Sequence, residues 1–119
     1  MPQRLFALRG AIDVPANEAQ AIRDATTSLM RQIMERNSLA PDDVVSCIFT
    51  VTDDLNAEFP AAAARELGFE RIALLCAREI PVPDSMPLVI RVLIHYHAAE
   101  DHRPTFVYLD KTVALRDDL

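Results

Sequence analysis

Pro87-Leu88-Val89-Ile90-Arg91-Val92-Leu93-Ile94 is the stretch on which the fold turns. Apolar and β-branched residues run through it without a turn signal, so 88–97 reads as a strand, the most apolar in the chain. One charge, Arg91, sits in the middle of it. A charge in such a run either faces solvent or is buried with a partner. Left unpaired and buried, it costs several kcal/mol even after relaxation.

The neighbouring segments can be read outward from this strand. Pro81, Pro83 and Pro87 exclude regular structure just before it. Ahead of them, Arg71-Ile72-Ala73-Leu74-Leu75-Cys76-Ala77-Arg78-Glu79-Ile80 reads as a strand over 71–80. Beyond the central strand, 100–104 is a polar connection and 105–109 a short fifth strand. Toward the N-terminus, Pro60 suits the first turn of a helix, the alanines 61–64 favour continuing it, and Gly68 suits its end. Residues 53–56 break the pattern before it. Residues 44–52 form a strand rich in β-branched residues, preceded by a turn at 41–43. Ile22, Thr26, Leu29 and Ile33 recur at helical spacing, predicting a helix over 17–36. Asn17 and Gln20 are spaced as an N-cap and its N3 partner, and Asn37 stands near the C-terminus. Residues 4–12 open the chain as a strand ending near Gly10.

The resulting order is β-α-β-α-β-β-β. The fold class is α+β, a mixed five-stranded sheet with two helices on one face. The other sheet face then lacks a helical cover, and contact with further subunits would bury it. The 119 residues suit one domain, 1–119, with 110–119 as a mobile tail. Half of the residues are hydrophobic and a quarter charged, an ordinary globular balance. The formal net charge of −6 argues against nucleic acid as the main partner, though not against a small anion met by a few placed cations. Cys47 and Cys76 form no metal-ligand spacing, and free thiols fit a cytoplasmic protein. No run of about 18 apolar residues suggests a membrane span, and the opening residues do not read as a signal peptide.

Arg9 lies inside Leu5-Phe6-Ala7-Leu8-Arg9-Gly10-Ala11-Ile12, and Glu79 follows an apolar run. Any one of Arg9, Glu79 and Arg91 alone is most simply a solvated residue on the open face. Together they carry a further implication. Were they to converge, Glu79 could compensate only one arginine, and the remaining positive charge would want an anion. The guanidinium fork matches a carboxylate, so a pocket for a small carboxylate ligand follows. Strand parity adds a condition: Cys76 shares a face with Ile72 and Leu74, whereas Glu79 shares the opposite one with Ala73, Leu75 and Ala77. Either the strand lies at a subunit boundary and serves two pockets, or it ends or bulges before Glu79.

Other residues carry less by themselves. Arg65 belongs to the short helix and Arg116 to the tail, where solvated roles are ordinary. Tyr108 alternates with Phe106 and suits a core position with its hydroxyl at the edge. His95 and His97 share a strand face, but with His102 they suggest no third ligand, and no metal is expected. With only Gly10 and Gly68, no glycine-rich phosphate loop exists.

These same residues carry a resemblance. Arg9-Gly10-Ala11-Ile12-Asp13-Val14, then Thr50-Val51-Thr52-Asp53-Asp54-Leu55 with Phe59-Pro60-Ala61, then Ala77-Arg78-Glu79-Ile80-Pro81-Val82-Pro83, Ile90-Arg91-Val92, Val107-Tyr108-Leu109 and Leu115-Arg116-Asp117-Asp118-Leu119 follow in the order of one family. The chain resembles the trimeric, monofunctional chorismate mutases, the class that is not all-helical. Ala62 departs from it where some relatives carry a longer polar side chain, and Asp117 where a proline is common.

The resemblance implies a homotrimer whose sheets pack into a pseudo-barrel core, with an active site at each interface. It implies the cofactor-free rearrangement of chorismate to prephenate in phenylalanine and tyrosine biosynthesis. Arg91 would contact a carboxylate and the ether oxygen, and Glu79 the ring hydroxyl. Arg9 would bind a carboxylate with Tyr108 assisting, and Cys76 would lie near Glu79. Phe59, Ala61 and Leu115 would shape an apolar wall, with Arg65 and Arg116 at the mouth. Two other readings remain: a trimeric imine and enamine deaminase of the same shape, and a non-catalytic module that binds a carboxylate metabolite.

Overall fold

The computed structural model of the protein describes residues 2–116. Its main elements are β1 (Gln3–Asp13), α1 (Ala19–Arg36), β2 (Val44–Val51), α2 (Pro60–Ala64), β3 (Ala73–Arg78), β4 (Val89–Ala99) and β5 (Val107–Tyr108). The strands form one sheet in the order β3-β2-β4-β1-β5. β4 runs antiparallel to both β1 and β2, whereas β3 is parallel to β2 and β5 to β1. The sheet is mixed and the most apolar strand is its centre, where both neighbours shield the backbone.

Alternation along each strand sorts the side chains. Phe6, Leu8 and Ile12 of β1, Cys47 and Phe49 of β2, and Ile90, Val92, Ile94 and Tyr96 of β4 turn into the main core. They meet Ile22, Leu29, Met30 and Ile33, which the 3.6-residue period of α1 brings onto one stripe. Burying each such aliphatic side chain contributes roughly 1.5–3 kcal/mol. Burial also pushes the thiol of Cys47 up to about 12, leaving it neutral. On the opposite sheet face Leu5 is 52% and Leu75 61% exposed, and no helix covers them.

Gly10 lets α1 approach β1. A Cβ there would lie 2.8 Å from Cδ1 of Ile33, 3.2 Å from Cδ1 of Leu29 and 3.0 Å from the backbone oxygen of Val107. The last contact cannot relax by a rotamer change, because Gly10 pairs with Val107 in the β1–β5 ladder. Gly10→Ala is therefore expected to cost about 1–3 kcal/mol, read as a lower urea midpoint at unchanged slope.

Several boundaries differ from the sequence reading. Asn17 does not cap α1: the cap position is Glu18, without a side-chain hydrogen bond. The Asn17 amide reaches across to the 56–57 loop instead. Its Oδ1 accepts the N–H groups of Asn56 and Ala57 at 3.0 and 3.1 Å, and its Nδ2 donates to Oδ1 of Asn56. Gln20 donates to Asp24, one turn on. At the other end Asn37 is buried and ties α1 to the start of the last strand, donating to the oxygens of Ile33 and Thr105 and accepting the Thr105 N–H.

The short helix is α-helical only to Ala64. It widens into a π turn over Arg65–Phe69, ended by Gly68 at φ 98°, a conformation that suits glycine. β3 is shorter than expected, β4 runs two residues further, and β5 is only two residues long. Within the tail, Asp110–Leu115 forms a 3-10 helix against β1, with the Lys111 N–H on Asp13 and the Thr112 hydroxyl on the Ala11 oxygen. The resemblance over 117–119, with the departure at Asp117, falls outside the described residues.

Candidate active site

The register sets one row of residues across the uncovered face. Ala77 lies opposite Thr50, Thr50 opposite Arg91, Arg91 opposite Ala11, and Ala11 opposite Tyr108. Arg9 lies opposite Leu93 and is therefore a diagonal neighbour of Arg91 on the same face. Arg9, Thr50, Arg91, Leu93 and Tyr108 line a cleft of about 220 Å³.

Glu79 reaches into this row from beyond the last ladder residue of β3. Its N–H still donates to the Val51 oxygen at 2.9 Å, so the chain keeps its extended course and its parity. The ladder of β3 stops at Arg78, just before Glu79, but this end does not turn the side chain over and does not bring Glu79 and Cys76 into one pocket of the subunit. Oε2 accepts the Thr50 hydroxyl at 2.8 Å and lies 3.1 Å from Nε of Arg91. With side chains 44% and 18% exposed, Arg91 and Glu79 form a half-solvated pair that contributes little to stability. Its value is orientation: the carboxylate stands at the Nε side of the guanidinium, and no hydrogen bond to a described residue engages the terminal nitrogens of Arg91.

The rest of the cleft is held by packing. The Arg9 guanidinium stands 5.0 Å above the Phe106 ring, a cation–π contact. Tyr108 is buried in a small cluster with Ala11 and Val89, against which Leu115 packs. Arg116 lies 5.8 Å over the Tyr108 ring, and its Nε is buried with no hydrogen-bond partner among the described residues. The start of β4 is clamped by Asp54, which accepts the Leu88 N–H at 3.0 Å, and by Thr52, which accepts that of Val89. Leu88 is held there at φ 57°, a left-handed conformation that a branched side chain seldom adopts. Arg91 follows three residues later on a fixed backbone.

The other expected residues lie elsewhere. Cys76 turns to the helix side of β3 and lines a second cleft, of about 340 Å³, with Val51, Leu55, Phe59 and Arg78. Phe59 is 67% exposed. Its segment is stapled to the turn before α1 by Asn17 and to α1 by Arg23, whose guanidinium donates to Oε2 of Glu58 at 2.6 Å. The Phe59 N–H and then Arg23 hold the Glu58 carboxyl below the usual range. Pro60 begins α2, and Ala61 beside it packs in the main core. Arg65 is exposed on the π turn.

The histidines serve local contacts. His102 Nε2 is 2.7 Å from the hydroxyl of buried Tyr96, which burial pushes up to about 12, and His95 Nδ1 is 3.3 Å from Oγ of Ser46. Among the described residues no group of three or more His, Cys, Asp or Glu could hold a metal ion, and no helix is long and apolar enough to cross a membrane. Sequence reasoning missed Thr50, Phe106 and Asp54 as parts of the site. Only Thr50 left a signal, being the polar residue that alternates with Ile48 on the same face as Arg91.

Fold and cleft together define a class: small α+β proteins that present arginines and one carboxylate from an uncovered sheet face. The chain belongs to the chorismate mutase type I family, whose model matches residues 5–119. It is 45% identical to the chorismate mutase AroH of Thermus thermophilus over 94% of this chain and 93% of that one. It is 36% identical to chorismate mutase AroH of Bacillus subtilis over 94% and 90%. A solved chorismate mutase from Clostridium thermocellum superposes with a TM-score of 0.86 at 42% identity, covering 92% of this chain and 98% of that one.

Proposed function

We propose that the protein is a chorismate mutase that rearranges chorismate to prephenate in aromatic amino-acid biosynthesis, at sites completed between subunits of a homotrimer in the cytoplasm. The carrying observation is the row of Thr50, Arg91 and Tyr108 with Arg9 and Glu79 on an uncovered sheet face, in a member of this family. The two free thiols fit a reducing compartment.

The reaction is intramolecular: the ether C–O bond breaks as a C–C bond forms, and no nucleophile, base or cofactor is required. Negative charge grows on the ether oxygen in the transition state. The terminal nitrogens of Arg91, aimed by the Nε contact with Glu79, meet that charge and a carboxylate, so they bind the transition state better than the ground state. Arg9, seated on Phe106, takes a carboxylate, with Tyr108 beside it. Glu79 accepts the ring hydroxyl. These fixed charges select the compact conformer in which the reacting carbons are already close.

Cys76 and Phe59 lie on the other side of β3, in the second cleft. One subunit therefore presents a charged half-site and an apolar half-site in different places. A neighbouring copy supplies the apolar wall, with Ala61 behind it and Arg65 at the mouth. Leu115 and Arg116 approach from the Tyr108 side. Loss of chorismate's ultraviolet absorbance on adding purified protein tests this reading. A well-folded chain that leaves chorismate unchanged would refute it.

A further inference from the structure

Glu79 sits past the end of β3, with its N–H bonded to Val51 but no ladder partner of its own on the outer side. A carboxylate at such a position has several rotamers open to it. Its pair with Arg91 is half-solvated and restrains it weakly. The remaining contact is the Thr50 hydroxyl, 2.8 Å from Oε2, the same oxygen that faces Arg91. Thr50 is itself immobile, since it lies inside β2 with Ala77 opposite on one side and Arg91 on the other. Its β-branched side chain has few rotamers.

Resting on the reading above, we infer that Thr50 is a positioning residue: its hydroxyl holds Oε2 of Glu79 on Arg91 and so leaves Oε1 aimed at the ligand. Oε1 has no partner among the described residues. The Thr50 hydroxyl and the Arg91 ion pair meet on one oxygen, which leaves Oε1 as the carboxylate's remaining capacity. The same bond keeps Nε of Arg91 engaged, so the terminal nitrogens stay turned toward the reacting ether.

Thr50→Val tests this with little change of shape in a strand that favours β-branched residues. It is expected to lower kcat about tenfold, the kinetic equivalent of one hydrogen bond to a charged group, with KM changed less than about twofold. Thr50→Ser, which restores the hydroxyl, recovers most of the loss. In a Glu79→Gln background, Thr50→Val changes kcat by less than about twofold, because the group it positions is already altered. Thr50→Ala serves in place of Val should Val disturb the sheet. Wild-type kcat in the Val variant, equal impairment of Val and Ser, or a full tenfold loss in the Glu79→Gln background would each overturn the assignment. A wild-type chain without turnover removes the mutase reading, and the inference with it.

Discussion

Arg91→Ala is expected to lower kcat about 10²–10³-fold, some 2.7–4 kcal/mol of transition-state stabilisation, with the fold unchanged. That range is what one donor aimed at a developing oxyanion is worth in a site where it is held rigidly. Here the donor also carries a full charge. The backbone of Arg91 is fixed by its place in the middle of β4 and by the clamp at Leu88. The enzyme therefore does not reorganise as charge separates. The side chain is 44% exposed in the subunit, so its truncation leaves no cavity in the core. KM should rise as well, because Glu79 then faces a dianionic ligand without its cation. Arg91→Lys keeps the charge but loses the planar fork, and should fall between wild type and Ala. Stopped assays of prephenate beside far-ultraviolet circular dichroism read the result. An Ala variant that is folded and keeps more than about a tenth of wild-type kcat would remove Arg91 from the chemistry.

The residues of this cleft were unusually legible because a strand's period is two. Arg91 interrupts an apolar run, and so does Arg9. Parity alone placed Glu79 with Ala73, Leu75 and Ala77, away from Cys76. The structure keeps that division: Cys76 lines the cleft beside Phe59, whereas Glu79 lines another with Thr52, Asp54 and Pro87. What parity does not encode is a partner far away in the chain. Thr50 meets Glu79 across 29 residues, and Asp54 holds Leu88 across 34. Neither pairing leaves a local pattern. Asn17 shows the reverse error: its spacing from Gln20 matches a capping box, yet the amide finds better partners in the 56–57 loop. The short β5 has a similar cause. Val107 and Tyr108 pair with β1, the Leu109 N–H still donates to the Ala11 oxygen, and the chain then turns into the 3-10 helix that starts at Asp110.

The second large effect concerns the uncovered face. Leu75→Asp is expected to convert the protein from a species of roughly three times the 13.3 kDa subunit mass into a monomer, and to lower activity at least about a hundredfold. Leu75 is 61% exposed in the subunit, on the edge strand, with Leu5 exposed on the same face. A sheet buries its apolar face against another layer, and here the helices occupy only one side. In a threefold assembly each substitution is repeated three times around the axis. Three carboxylates would then replace three apolar contacts, a change that a marginal interface does not survive. The subunit itself loses nothing, since the side chain has no core contacts to forfeit. Activity should fall with assembly because the charged half-site at Arg9, Arg91 and Tyr108 and the apolar half-site at Phe59 and Cys76 belong to different places on one chain. Light scattering and turnover measured over a concentration series separate the two causes. If assembly is what fails, high protein concentration restores mass and activity together. A folded monomer with full activity would show that one chain holds the complete site, and Phe59 and Cys76 would then have no part in it.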